Sequence, residues 1–196
     1  MLQIRIHGRG GQGVVTAAEL LSIAAFEQGR HAQAFPSFGS ERTGAPVVAF
    51  CRIDDHEIRL REPVLNPDVL IVQDPTLLHQ VDVFQGLPRN GYVLINSRRS
   101  FEQLGLADIV QRYQSDRLTT VPATEIAMKH LGRPLPNVAL IGGFAALSAL
   151  VSMDAVSHAI RDKFSGTVAD GNIAASAEAF AYVQREIEEL SHAAAD

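Results

Sequence analysis

Four glycines interrupt the opening of the chain, in the stretch "IRIHGRGGQGVVTAAELLSIAA" over residues 4–25. They stand between a short apolar alternation at Ile4 and Ile6 and a run of helix formers from Val14 to Phe26, so the sequence predicts strand, bare turn, helix. Gly8, Gly10 and Gly13 have the spacing of the phosphate-binding turn of dinucleotide folds, with Gly11 added. The first N–H groups of the following helix, at its positive dipole end, would face that turn and favour an anion. Three uses fit so bare a backbone: a tight turn with no further role, the approach of a ligand phosphate, or the docking of another chain's backbone.

The rest of the chain reads as one α/β domain over residues 1–196, built on an open, mainly parallel Rossmann-like sheet. Gly29 is a candidate helix end, and His31 to Phe35 a second strand closed by Pro36. Pro46 to Ile53 reads as a strand, with Asp54-Asp55 as a turn and His56 to Leu60 as the partner in an antiparallel hairpin. Asp68 to Gln73 and Gly91 to Asn96 are apolar runs of the kind buried on both faces of a parallel sheet. A helix is expected between them, capped by Asp74 with Pro75 at its first position. Thr119 to Pro122 gives another strand. Ala123 to Leu131, Val138 to Val151, Asp154 to Phe164 and Gly171 to Leu190 make the C-terminal third helical.

Two of these helices are too apolar for a surface. Val14 to Phe26 is broken mainly by Thr16, Glu19 and Ser22, and in "VALIGGFAALSALV" a band of small residues (Ala139, Gly142, Gly143, Ala146, Ala149) permits close helix approach. Either the domain itself or another subunit covers them. At 14 residues, the Val138 to Val151 run is short of the roughly 20 needed to cross a bilayer, so no membrane span is expected.

Composition narrows the function. A net charge of −5 and the lack of a basic stripe give no field for nucleic acid. With a single cysteine, Cys51, there is no disulfide framework and no thiolate set for zinc or an iron–sulfur cluster. No signal-peptide pattern is visible at the N-terminus, and a cytoplasmic location is expected.

Catalytic patterns are missing as well. An NAD site would place an acidic residue at the end of the second strand, where "QAFPSFG" has none. A P-loop would need Gly-Lys-Ser/Thr where Gln12-Gly13-Val14 stands. The seven histidines are scattered, with no pair at helical spacing. His7 reads as a strand-end histidine, satisfied by backbone or touching a bound group. Asp74 sits at the end of a strand where ligands of open sheets gather, though capping alone accounts for it. The loop Ser37 to Thr43 follows the second strand at the same sheet edge and offers hydroxyls, a guanidinium and glycine N–H groups.

Read together, "IHGRGGQGVVTAAELL" and "QAFPSFGSERTGAPVVAF" closely resemble the gamma subunit, or domain III, of the 2-oxoacid:ferredoxin oxidoreductases, most closely the pyruvate type. The likeness runs on through "NPDVLIVQDPTLL", "GYVLIN", "ATEIAMKHLG", "PNVALIGGFAAL" and "DGNIAASAEAF", and so covers nearly the whole chain.

The resemblance implies a non-catalytic, obligate subunit that packs on the catalytic subunits and helps bind coenzyme A. The holoenzyme converts a 2-oxoacid and coenzyme A to acyl-CoA and CO2, and passes electrons to ferredoxin or another acceptor. Thiamine diphosphate, magnesium and [4Fe–4S] clusters are then held by partner subunits, and none by this chain alone. Gly8, Arg9, Gly10, Gly11, Gln12 and Gly13 are expected to face those partners, with Ser37, Ser40, Glu41, Arg42 and Thr43 beside them. Arg9 or Arg42 would meet a coenzyme A phosphate. Pyruvate-type members read ERRG where this chain has Glu41-Arg42-Thr43-Gly44, so an aryl-glyoxylate stands beside pyruvate as a substrate. A purely structural scaffold and a free-standing nucleotide-binding oxidoreductase are the competing readings.

Overall fold

The computed structural model describes residues 1–37 and 43–193, the last without its side chain. Strand β1 (Leu2–Arg9) leads through the glycines into helix α1 (Val14–Glu27), as the pattern implies. The helix ends at Gly29, which takes φ +75° while the N–H groups of Gly29 and Arg30 donate to the Phe26 and Ala25 carbonyls.

Strands β2 (His31–Pro36), β3 (Pro46–Asp54), β4 (Val69–Val72), β5 (Tyr92–Asn96) and β6 (Leu118–Val121) join β1 in one sheet of order β2-β3-β1-β4-β5-β6. β1, β4, β5 and β6 run parallel, and β3 is antiparallel to both of its neighbours. All four residues of β4 are buried, Val69 and Ile71 against one core and Leu70 and Val72 against the other, which is why the run is apolar throughout.

The expected hairpin partner at His56 to Leu60 is not a strand. β3 already has β1 on one side and β2 on the other along its length, leaving no free edge for a further strand. The buried Arg52 guanidinium instead holds this segment by the carbonyls of Leu60, at 3.4 Å, and Glu62, at 2.6 Å. The connection from β4 to β5 also differs from expectation. Asp74 caps as foreseen, accepting from the Thr76 N–H at 3.0 Å, but only a 3₁₀ turn follows, Pro75–His79. Arg5, 7% exposed, holds this connection by the carbonyls of Val83 and Gln85, and the segment before β4 by those of Val64 and Leu65.

A short helix, α2 (Ala107–Arg112), was not expected; α3 (Ala123–Leu131) has the expected bounds. α4 (Asn137–Ser148) and α5 (Met153–Lys163) follow, and α6 (Gly166–Ala193) begins five residues before the Gly171 expected to open it. Gly171 lies inside α6, where α3 comes so close that a Cβ would meet the His130 carbonyl oxygen at 3.0 Å.

The apolar helices are covered from within the chain. α6 packs along α4 so closely that a Cβ on Gly142 would lie 2.0 Å from the Ser176 carbonyl oxygen. That backbone-to-backbone contact explains the band of small residues. α1 buries Ala17, Leu20, Leu21 and Ala24 in the same core, beneath α5. Among the described residues no helix is long and apolar enough to cross a membrane.

Candidate functional site

The turn from β1 into α1 is framed by one carboxylate. Asp74, at the end of the neighbouring strand, offers Oδ2 to Arg9 Nε at 3.1 Å and to Gln12 Nε2 at 2.9 Å. Gln12 Oε1 in turn accepts from the Arg9 backbone N–H at 2.8 Å. Arg9 completes its set with the Gly44 carbonyl at 3.0 Å, Thr76 Oγ1 at 2.8 Å and Gln80 Oε1 at 2.9 Å. Burial pushes the Asp74 carboxyl up, but the Thr76 hydroxyl, the Gln12 amide, the Thr76 N–H and the charge of Arg9 outweigh it and hold the group below its ordinary value. Arg9 is thus engaged by four groups of the chain.

The glycines of the turn answer to different constraints. At Gly8 a Cβ would meet Val14 Cγ2 at 2.6 Å, so this glycine lets the first turn of α1 sit on the strand. At Gly11 an added Cβ would have no described atom within 4 Å, but φ is +93°, a conformation that costs any L side chain. Gly13 combines both, with φ +69° and a Cβ position 2.4 Å from Asn137 Nδ2. Gly10 is tied by backbone to the returning chain: its N–H donates to the Ala45 carbonyl at 2.9 Å, its carbonyl accepts from Gly44, and it bridges Thr43.

α1 has neither a side-chain cap nor an acidic residue in its first turn. Its opening residues therefore present donors with no competing anion of their own. Arg9, Gly11, Gly13, Val14, Val15 and Thr16 line a depression of about 250 Å³ there.

A larger cavity of about 450 Å³ adjoins it, sharing Gly11, Gly13 and Thr16. Leu135, Val138, Phe164 and Val168 give it apolar walls, and Arg133 and Lys163 bring positive charge. Lys163 pairs with Glu19. Asn137 and Asn172 are buried and line the same cavity. Nothing local in the sequence marks these residues. They come from the link before α4, the α5–α6 corner and the body of α6, and only the packing of α6 on α4 assembles them.

Of the other expected site residues, Thr43 bridges Gly10, while Ser37 is exposed and pairs with Val48, which lies opposite His7. Ser37 is therefore two strand spacings from β1, about 10 Å. Ser40, Glu41 and Arg42 lie outside the described residues. His7 is 7% exposed and its Nε2 has no hydrogen-bond partner among the described residues, whose backbone does not satisfy that nitrogen. Burial, and then the charge of Arg5, push its pKa down to about 4. The imidazole is neutral near pH 7. Gln73, beside Gly8, is also buried, and neither amide atom has a partner among the described residues.

The chain matches the family model for pyruvate ferredoxin/flavodoxin oxidoreductase over residues 3–182. It is 47% identical over 180 residues to the common gamma subunit of the pyruvate/ketoisovalerate oxidoreductases of Thermococcus kodakarensis, spanning 92% of this chain and 96% of that protein. To the pyruvate synthase subunit PorC of Methanothermobacter marburgensis it is 46% identical over 180 residues, again 92% of this chain and 96% of the relative. The crystal structure of the pyruvate oxidoreductase subunit PORC of Thermotoga maritima superposes with a TM-score of 0.76 at 35% identity, covering 91% of this chain and 94% of the other.

Proposed function

Because the chain belongs to the pyruvate ferredoxin/flavodoxin oxidoreductase family, we propose that it serves as the gamma-type, non-catalytic subunit of a 2-oxoacid:acceptor oxidoreductase acting on pyruvate. The complex converts a 2-oxoacid and coenzyme A to acyl-CoA and CO2 and sends two electrons to ferredoxin or another acceptor. The observation that carries this reading is the likeness, over more than nine-tenths of both chains, to gamma and PorC subunits. The family likeness leaves no ground for a free-standing NAD(P) enzyme.

Thiamine diphosphate, which carries the decarboxylation, and the clusters that accept electrons belong to partner subunits. The residues of this chain do not fit a cluster: its one cysteine, Cys51, is wholly buried and its thiol is pushed up to about 12 by burial. What the chain contributes is a surface for coenzyme A. The glycine turn leaves the α1 donors facing outward without a counter-anion, a suitable seat for a diphosphate. Arg9, Gln12 and Asp74 hold its shape from behind. Ser37, Ser40, Glu41, Arg42 and Thr43 form the proposed second edge, and Arg9 or Arg42 is the proposed cation for a phosphate.

Reconstitution of the complex from its subunits, with and without this chain, tests the reading. Omission is expected to abolish CoA-dependent pyruvate oxidation. Full activity without the chain would refute it.

A further inference from the structure

We propose that the run Glu57-Ile58-Arg59-Leu60-Arg61 pairs, antiparallel and across a two-fold axis at Arg59, with the same run of a second copy of this chain. The assembled enzyme then carries two of these subunits joined by a short two-stranded ribbon.

The run has the apolar alternation of a strand but no strand to join, since both sides of β3 are taken. It belongs to no helix, strand or turn, and its residues are exposed apart from the half-buried Ile58. Arg52 fastens it to the sheet, its guanidinium donating to the Leu60 and Glu62 carbonyls. Two carbonyls turned to one side at a spacing of two residues have the repeat of an extended chain. The backbone groups of Glu57, Arg59 and Arg61 therefore point to the opposite side. None of them bonds a described residue. An extended edge with free N–H and C=O groups is a template for another strand.

The order of charges selects that strand. Laid antiparallel on itself and centred on Arg59, the run sets Glu57 opposite the partner's Arg61 and Ile58 opposite the partner's Leu60, and the two-fold axis repeats both pairs. Opposite charges and apolar side chains directly across a ladder each stabilise it. Arg59 meets the partner's Arg59 at the axis, where each guanidinium is already offset by Glu57 of its own chain at 3.0 Å. Leu60, 45% exposed, gains an apolar neighbour.

The backbone requires the same register. Glu57, Arg59 and Arg61 face outward, and they meet the partner's Arg61, Arg59 and Glu57, so each outward pair exchanges both of its hydrogen bonds. A shift of one residue would set Glu57 against the partner's Glu62 and outward groups against inward ones. The contact is small, and it persists because both chains are held in one assembly, where their effective concentration is high.

Disulfide linkage in the assembled complex tests the register. Cys51 is wholly buried, so an introduced exposed cysteine is the reactive thiol of this chain. Arg59→Cys places two Cα atoms about 5.5 Å apart across the axis, within disulfide range, and mild oxidation should link two copies of the chain. Glu57→Cys, also exposed, should stay unlinked, because its counterpart lies about 14 Å away, and should link when mixed with chains carrying Arg61→Cys. In the Arg59→Cys background, Arg61→Glu should cut linkage severalfold, and Glu57→Arg added to it should restore linkage. No linkage of Arg59→Cys, equal linkage of Glu57→Cys alone, or a charge reversal without rescue overturns the proposal. Linkage of Arg59→Cys to a different subunit overturns it as well and gives the edge to that subunit. Linkage is read without turnover, so its outcome is separate from that of the proposed activity.

Discussion

Arg9 and Asp74, 65 residues apart in sequence, are bonded Nε to Oδ2 at 3.1 Å, and through this pair the end of β4 holds the turn that leaves β1. The same oxygen takes the Gln12 amide, so one carboxylate fixes both the strand end and the middle of the glycine turn.

Asp74→Ala removes that anchor and leaves a guanidinium in a half-buried position without its counter-charge. The expected cost is about 1–3 kcal/mol of stability, together with a raised coenzyme A KM in the assembled complex. Since the folded-state pKa of Asp74 is depressed, its contribution is present above the ordinary carboxylate value near pH 4 and is lost as pH falls below it. Thermal melts from pH 6 down to pH 3 check both points. Asp74→Asn should melt below wild type at pH 6 and converge on it at low pH.

His7 contributes a second, separate pH window. Its pKa falls from 6.5 to about 4 on folding, so the unfolded chain takes up a proton that the folded chain refuses. Stability is therefore complete above pH 6.5 and declines as pH drops toward 4, by about 3 kcal/mol in total. Urea denaturation of wild type and His7→Leu across this range should give a flatter pH profile for the variant. Parallel profiles would contradict the account.

Gly142 and Gly143 are adjacent but differ in what surrounds them. Gly142→Ala drives a methyl onto the Ser176 carbonyl and should cost about 3 kcal/mol or more. At Gly143 the nearest atom to an added Cβ is Val183 Cγ2 at 3.4 Å, so Gly143→Ala should be neutral or stabilise by up to about 1 kcal/mol. Melting temperatures of the two variants decide whether α4 and α6 touch backbone to backbone.

Much of this was legible in advance where local pattern decides the outcome. The bounds of α3, the burial of β4 on both faces and the strand–turn–helix start follow from periodicity and capping. The hairpin at His56 to Leu60 failed because its alternation competes with β2 and β1 for the edges of β3, and because the buried Arg52 takes that segment's carbonyls. The partners that hold Arg9 were not legible because Asp74, Thr76 and Gln80 lie far along the chain. The apolar helices called for a cover but did not say which, and Gly142 against Ser176 supplies it within the chain. The cavity residues carry no motif at all.

The central claim is that the glycine turn handles coenzyme A rather than the 2-oxoacid. Its most direct test is Gly11→Val in the reconstituted complex, with steady-state rates measured while coenzyme A and pyruvate are varied separately. An added Cβ meets no atom of the described residues within 4 Å, so the expected effect comes from the strained φ +93° backbone and from obstruction of the depression in front of α1. The account predicts assembly retained, a coenzyme A KM raised about ten- to hundredfold, the size of one or two lost charge-assisted contacts, and an unchanged pyruvate KM. A raised pyruvate KM with normal coenzyme A dependence would contradict it.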